Sequence, residues 1–553
     1  MKNSSSKKLL LSSVCQPFGT EYGDGPGTSF EGSFQLLWAQ GAFRTRATTT
    51  QWGIDFIAEN LKTPTTTLHY PTMAQFISEI EQGYDYIGIA FVSSTYHKMV
   101  PMIEAIRKHA PSSKIILGGY GAALGDELAP YADYICRGEG VKFMRELLGE
   151  HVDAPYIQPV ITQKQTLFSL PILGRVGYVF AGLGCPNGCD FCATSAFFKR
   201  KHIRLLPDGP AILRAIERLR LIYPDMADFW INDEDFLLNK ARGRGFLEAI
   251  RKSDMPPLSL SIFSSVRALS QFTASELVEM CIDWVWVGYE GKRAGYSKMK
   301  GNSSRELFGE LHEHGTSVLA SMIIGFDYQT PEIIEEEFEE LMSLRPTMCQ
   351  FLIYGPAHGT PLYERYKAEG RLDPVAFSDH SKHDGFSLTF NHPHIGPEEM
   401  SRIQRSLYHR EFERLGPSVY RLVDDLLQGY LNLSDHEAPR VRAKARRCKD
   451  IVHRAMVLLL GSRKYVSPGV ADWLTELYKK LVEETGPMSP RQHLIAKVVP
   501  AMIEYTEFKL RHNIGQQPKF SRKTYRQVKK TYSQVLAGML PYKLGLHNRG
   551  SGF

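Results

Sequence analysis

The sequence predicts an α/β protein: two successive blocks of alternating strands and helices, followed by a mostly helical region. Three observations predict it. Short apolar runs alternate with amphipathic stretches as far as about residue 375. A tight cysteine run, Cys185, Cys189 and Cys192, follows directly on a strand-like run inside the second block. After His394 the alternation stops and long helical periodicities replace it.

The first block is assigned to residues 1–152. Its strands are expected at Lys8–Val14, Thr67–Tyr70, Tyr86–Val92, Lys114–Leu117 and Tyr134–Arg137. Amphipathic stretches such as Met73–Gln82 and Met99–His109 lie between them, which indicates a parallel sheet covered on both faces. Two lysines precede the first apolar run, but that run is too short for a secretion signal and reads as a buried strand. Glycines follow two strand ends: Gly118, Gly119 and Gly121 in one case, Gly138 and Gly140 in the other. Ligands of open α/β sheets sit at such carboxyl ends.

Residues 153–175, rich in proline, are expected to be a linker, and residues 176–394 the second block. There the strand-like runs are Tyr178–Gly182, Asp228–Asn232, Leu258–Phe263, Trp284–Gly288, Ser317–Gly325 and Met348–Tyr354. Six βα units suit a partial barrel open on one side. Residues 395–553 are expected to be helical, with runs at Pro397–Leu415, Val419–Leu433, Ala443–Leu460 and Pro468–Glu484 and a basic helix-like segment at Phe520–Leu536. This region is basic: residues 401–553 hold 28 Lys+Arg against 13 Asp+Glu, whereas residues 1–400 hold 38 against 47. That asymmetry points to an anionic partner such as a membrane surface or RNA, or to a solvated basic face.

The spacing Cys185-x3-Cys189-x2-Cys192 carries the chemistry. Three thiolates on one short loop can hold three irons of a [4Fe-4S] cluster and leave the fourth iron open to a substrate. Structural zinc would want four ligands, and no second C-x2-C pair follows at zinc-finger spacing. Eight cysteines in 553 residues are too few for a disulfide framework, so a reducing compartment, the cytoplasm, is expected. Cys281, Cys349 and Cys448 are too far apart for an auxiliary cluster, and the first block contains only Cys15 and Cys136.

These residues resemble the radical S-adenosylmethionine superfamily over about Val176–Leu372, including the aromatic Phe191 before the last cysteine. The resemblance implies a partial (βα)6 radical SAM barrel whose cluster binds S-adenosylmethionine and cleaves it to a 5′-deoxyadenosyl radical. It implies that Asp233, Glu234 and Asp235 lie near the methionine amino group and that Glu290, in Val287-Gly-Tyr-Glu-Gly291, ends a G-x-E strand. Gly325-Phe-Asp327 and Tyr354-Gly-Pro-Ala-His-Gly-Thr-Pro-Leu-Tyr363 are similar to the fifth- and sixth-strand endings. Arg204, just after the cluster loop, is placed to reach a carboxylate or a corrin edge, or lies on plain surface.

The domain order resembles the cobalamin-binding branch of that superfamily. It implies a Rossmann-like cobalamin-binding first domain in which Ser93, Ser94, Gly118, Gly119, Gly121, Gly138 and Gly140 admit the nucleotide tail. No D-x-H-x-x-G follows the first strand, and the first histidine is His69, so a base-off cobalamin without a loop histidine is expected. The implied function is methylation of an unactivated carbon of a small-molecule or lipid substrate, with an electron from a flavodoxin- or ferredoxin-type donor. Cyclisation or oxidation of a tetrapyrrole or lipid is the alternative within the branch. A nucleic-acid-binding protein with a structural iron–sulfur cluster is the alternative outside it. No helix-turn-helix or single-strand platform is recognisable, so no specific nucleic acid is expected. The basic C-terminal region makes peripheral contact with the cytoplasmic face of a membrane plausible.

Overall fold

The computed structural model describes residues 7–19, 37–47, 50–168, 170–291 and 293–525. In chain order the strands are β1 Leu9–Ser13, β2 Arg46–Ala47, β3 Thr65–His69, β4 Tyr86–Ala90, β5 Lys114–Gly118, β6 Tyr134–Ile135, β7 Thr162–Leu167 and β8 Leu170–Phe180. They continue as β9 Gly182–Leu183, β10 Ile203–Arg204, β11 Asp228–Asn232, β12 Ser259–Ser264, β13 Ile282–Glu290, β14 Ser317–Ile324, β15 Met348–Ile353 and β16 Ser521–Tyr525.

The first sheet has the order β16-β3-β1-β4-β5-β6. All of its strands run parallel except β16, which adds antiparallel to the β3 edge. The chain therefore winds outward in both directions from β1, and the reversal between β1 and β4 opens a crevice at the carboxyl ends. Strands β1 and β4 are near-continuous apolar runs because helices cover both faces.

The second sheet has the order β15-β14-β13-β12-β11-β8-β7-β2, and β8 with β11 to β15 forms the six-stranded parallel half-barrel. Its connecting helices start where the sequence offers caps: Asp208 accepts from the Ala211 N–H, Asn239 from Arg242, Ser303 from Glu306 and Thr330 from Ile333. Alternation within the strands sets the two faces. Phe229, Ile231, Leu260, Ile262, Val285 and Val287 point to the helices and are buried in the main core. Their neighbours Trp230, Phe263 and Trp286 stack on the concave face, with ring centroids 5.3 and 4.9 Å apart along the row.

Two expectations need correction. Residues 153–175 are not simply a linker: β7 and the start of β8 form an antiparallel hairpin that extends the barrel sheet. The segment Phe520–Leu536 does not begin as a helix, because Ser521–Tyr525 is strand β16; residues 526–536 lie outside the described residues. A fifth long helix, Pro490–Arg511, follows Pro468–Thr485, opened by a capping box between Ser489 and Gln492. The C-terminal helices form their own core, which also takes in Ala42 and Phe43 from near the amino terminus. Among the described residues no helix is long and apolar enough to cross a membrane.

Candidate active site

The cluster loop leaves β8 through β9 and turns back along β10. Gly184 and Gly188 hold positive φ, and a Cβ on either would collide: with the Lys201 carbonyl at 2.3 Å and with the Arg200 guanidinium at 2.5 Å. Ser195 fastens the loop, accepting from the Gly188 N–H at 3.1 Å and donating to the Cys185 carbonyl at 2.8 Å. Cys185 is buried, while Cys189 and Cys192 are half-buried. Burial pushes the Cys185 thiol up to about 12 and Cys189 up to about 11, so loading iron must displace protons. No described disulfide competes for them.

Asp190, between the first two ligand positions and the third, anchors this loop to the far side of the barrel. It accepts hydrogen bonds from the Tyr296 hydroxyl at 2.7 Å and the Tyr354 hydroxyl at 3.0 Å, and Arg365 lies 3.5 Å away. Phe191 packs between the same two tyrosines. A residue the sequence reading missed, Lys298, completes this corner. Its ammonium pairs with Glu290 and lies 5.6 Å over the Phe191 ring; burial opposes its charge, but the Glu290 carboxylate outweighs burial and holds it charged. The signal was its position eight residues after the G-x-E strand end, on the turn Ser297–Met299. Glu290 sits at φ 59 with Oε2 buried and without a partner among the described residues.

The acidic triplet divides into three roles. Asp233 is buried and pairs with Arg242 at 2.6 Å and His202 at 3.0 Å. Burial opposes its ionisation, but the His202 and Arg242 interactions outweigh burial and hold it below the usual carboxylate range. Asp235 accepts from Ser264, from the Ser265 N–H and hydroxyl, and from Asn187 of the cluster loop, at 2.8–3.2 Å. Asp235 is saturated, and Asp233 takes both of its ion-pair partners on Oδ2 while Oδ1 accepts only from the Asp235 N–H at 3.3 Å. Glu234 is different: Oε2 is buried with no partner among the described residues, and burial together with Asp233 pushes the carboxyl up to about 7. Of the three, only Glu234 has a carboxylate oxygen without a hydrogen-bond partner among the described residues. Arg204 is exposed, and His202 rather than Arg204 makes the link to a carboxylate.

A cavity of about 430 Å³ lies at the carboxyl edge of the first sheet. Ser94, Gly118, Gly119, Gly138 and Gly140 line it, and Leu183, Phe197 and Phe198 of the cluster-loop region close its other side. The glycines are not equivalent. At Gly118 and Gly138 a Cβ would project into open space, with nothing closer than 3.7 Å. At Gly119 it would meet the Phe91 carbonyl at 2.5 Å, at Gly121 the Phe91 ring at 2.3 Å, and at Gly140 Ile57 at 2.6 Å. Those three serve close packing. Gly121 and Ser93 are not among the lining residues. Tyr120 bridges the two domains, accepting a hydrogen bond from the Thr194 hydroxyl at 3.2 Å and packing on Phe197. His69 is fully buried, with Nε2 2.9 Å from Asp55 and Nδ1 accepting from the Gln51 N–H. Both ring nitrogens are engaged, so His69 cannot serve as an axial ligand.

No protein-family model matches the sequence. In sequence the chain is 22% identical over 396 residues to an uncharacterized methyltransferase of Pyrococcus horikoshii, covering 64% of this chain and 82% of that protein. It is 20% identical over 408 residues to the anaerobic magnesium-protoporphyrin IX monomethyl ester cyclase of Rubrivivax gelatinosus, covering 66% and 69%. It is 21% identical over 350 residues to the hopanoid C-2 methylase of Rhodopseudomonas palustris, covering 58% and 62%. In fold it is similar to the radical S-adenosylmethionine methyltransferase TsrM of Kitasatospora setae, solved with cobalamin and a [4Fe-4S] cluster bound. The TM-score is 0.50 at 14% identity, over 81% of this chain and 99% of that one. The chain is similar in sequence to methyltransferases and cyclases, and in fold to a radical S-adenosylmethionine methyltransferase. Because those relatives differ in reaction, the likeness leaves the reaction outcome to be argued from the site.

Proposed function

We propose that this enzyme methylates an unactivated carbon of an apolar small molecule or lipid, using a [4Fe-4S] cluster, S-adenosylmethionine and cobalamin. The observation that carries this reading is the cavity whose one wall is the carboxyl edge of the first sheet and whose other wall is the cluster-loop region. When bound, the cluster with S-adenosylmethionine supplies a hydrogen-abstracting radical and the cobalamin supplies the methyl group. The chain's own residues do the rest. Cys185, Cys189 and Cys192 would hold the cluster. Glu234 presents an acceptor for the methionine ammonium, and Lys298 offsets the negative charge of the thiolates. Gly118 and Gly138 leave room for a flat or extended ligand, and no histidine reaches the cavity from the loop after β1 among the described residues. The row Trp230, Phe263 and Trp286 lines the barrel interior and excludes water.

A lipid substrate is favoured by helix Pro490–Arg511, whose outer face exposes Leu494, Val498, Tyr505 and Phe508 beside Lys497, Lys509 and Arg511. Such a face seats at an anionic interface. Enzyme reconstituted anaerobically with a flavodoxin- or ferredoxin-type donor should move label from the S-adenosylmethionine methyl group into a lipid extract. It should co-sediment with anionic liposomes at low salt, and Val498→Glu with Phe508→Glu should abolish that. Label in water-soluble product only would reject the lipid, and no label in any product would reject methylation.

A further inference from the structure

Outside the cluster site, three histidines converge where the first domain meets the barrel. His358 lies in the turn after β15, and His380 and His383 lie on the loop that follows the barrel. One ligand atom from each lies within 4.8 Å of the others. His358 and His383 stack with ring centroids 5.1 Å apart at 17°. The sequence reading did not anticipate the group, because twenty-two and three residues separate its members along the chain.

The hydrogen bonds around the rings have a common pattern. Glu127, on the first domain, faces Nε2 of His380 at 3.1 Å and Nε2 of His358 at 3.7 Å. His383 Nε2 is bonded to the Phe377 carbonyl at 2.8 Å. His380 and His383 each have an oxygen acceptor on Nε2, which fixes the proton there and leaves Nδ1 with its lone pair; Nε2 of His358 faces the same Glu127 carboxylate beyond hydrogen-bond distance. Nδ1 of His358 and of His380 is buried without a hydrogen-bond partner among the described residues. His358 is itself 7% exposed. A buried imidazole nitrogen with no partner is costly unless something fills it. Metal-binding histidines show this arrangement, one nitrogen on the metal and the other donating to a carboxylate or carbonyl.

We propose that His358, His380 and His383 each give one ring nitrogen to a divalent transition ion of the zinc type, with Glu127 facing two of the rings from the first domain. Neutral imidazoles suit zinc, and a fourth position remains for water. The ion would clasp the post-barrel loop to the first domain. Asp384, next to His383, lines the cavity, so the clasp would also fix one wall of it.

The cluster cysteines also bind zinc, so the test must separate the two sites. A full-length Cys185→Ala, Cys189→Ala, Cys192→Ala variant is titrated with Zn2+ and, for its visible spectrum, Co2+. One equivalent should bind, the Co2+ spectrum should be that of nitrogen and oxygen ligation, and the thermal midpoint should rise. Adding His358→Gln and His383→Gln should abolish this, and Glu127→Gln should weaken it by about tenfold or more. In parallel, wild-type enzyme with its cluster rebuilt should retain one zinc beyond its iron. No binding to the cysteine-free chain and no retained zinc, or binding undiminished by the histidine changes in a variant with unchanged circular dichroism, would overturn the site. Either result leaves the methylation reading untouched, since the cluster and cobalamin are absent from the titration.

Discussion

At the scale of single residues, the site is organised by which carboxylates are already satisfied. Asp233 and Asp235 were expected near the methionine amino group; His202 and Arg242 occupy Asp233 Oδ2, and Ser264, Ser265 and Asn187 surround Asp235. Glu234 keeps a free oxygen, and its carboxyl is raised from 4.5 to about 7 by burial and by Asp233. A raised acid favours folding in its protonated form, so this contribution is present below pH 4.5 and is lost as pH rises through about 7. Glu234→Gln should therefore flatten the stability profile across that window, gaining at most about 3 kcal/mol over wild type at alkaline pH. Urea unfolding at pH 5 and pH 8 checks it; equal profiles for the two proteins would contradict it. Lys298 makes the opposite case. Glu290 and Lys298 are both largely buried, so Lys298→Met leaves a charge unpaired and should cost about 3–5 kcal/mol by urea unfolding at neutral pH. Restoring neutrality with Glu290→Gln in the same chain should recover most of that loss.

At the scale of elements, periodicity marked most of the strands and helices, and long-range pairing escaped it. Asp228–Asn232 and Pro397–Leu415 form where their patterns predict, because an alternating strand and an amphipathic helix opened by proline and two glutamates carry their own signals. The hairpin of β7 and β8 was not legible: five of the six residues of Thr162–Leu167 are polar, and its pairing partner lies across a turn that composition does not mark. β16 was misread for the same reason. Its alternating basic residues look like a helix face, yet Lys523 bonds buried Asp55 at 2.5 Å and Arg522 pairs with Glu79. In the candidate site the cysteine spacing was legible because one short loop carries it. The Lys298–Glu290 pair and the histidine group were not, since tertiary contact alone assembles them. Helix Pro439–Ser462 spends part of its basic charge inside the fold as well: Lys444 pairs with Asp283 and Arg447 with Asp228, at the far end of the barrel strands. Lys444 is 3% exposed, so Lys444→Met should destabilise by about 3–5 kcal/mol and separate the C-terminal helices from the barrel. Limited proteolysis should then release a C-terminal fragment that wild type protects.

At the scale of the whole molecule, the first domain, the half-barrel and the C-terminal helices are interlocked. Chain from near the amino terminus packs in the C-terminal core, and chain from near the carboxyl terminus completes the first sheet. This interlock holds the cavity against the cluster loop, with Tyr120 and Thr194 joined across the gap. The basic excess that suggested an anionic partner is partly consumed by Asp228, Asp283, Asp55 and Glu79, while helix Pro490–Arg511 exposes an apolar stripe among the described residues. The central claim is that a corrinoid and a [4Fe-4S] cluster sit in neighbouring but separately built sites. The most direct test is corrinoid absorbance and iron content after anaerobic reconstitution and gel filtration of three proteins: wild type, Gly118→Leu, and the chain lacking Cys185, Cys189 and Cys192. Wild type should retain both groups, Gly118→Leu should keep its iron and lose the corrinoid, and the cysteine variant should do the reverse. Wild-type protein that emerges with iron and no corrinoid, or a Gly118→Leu variant that retains it fully, would contradict the account.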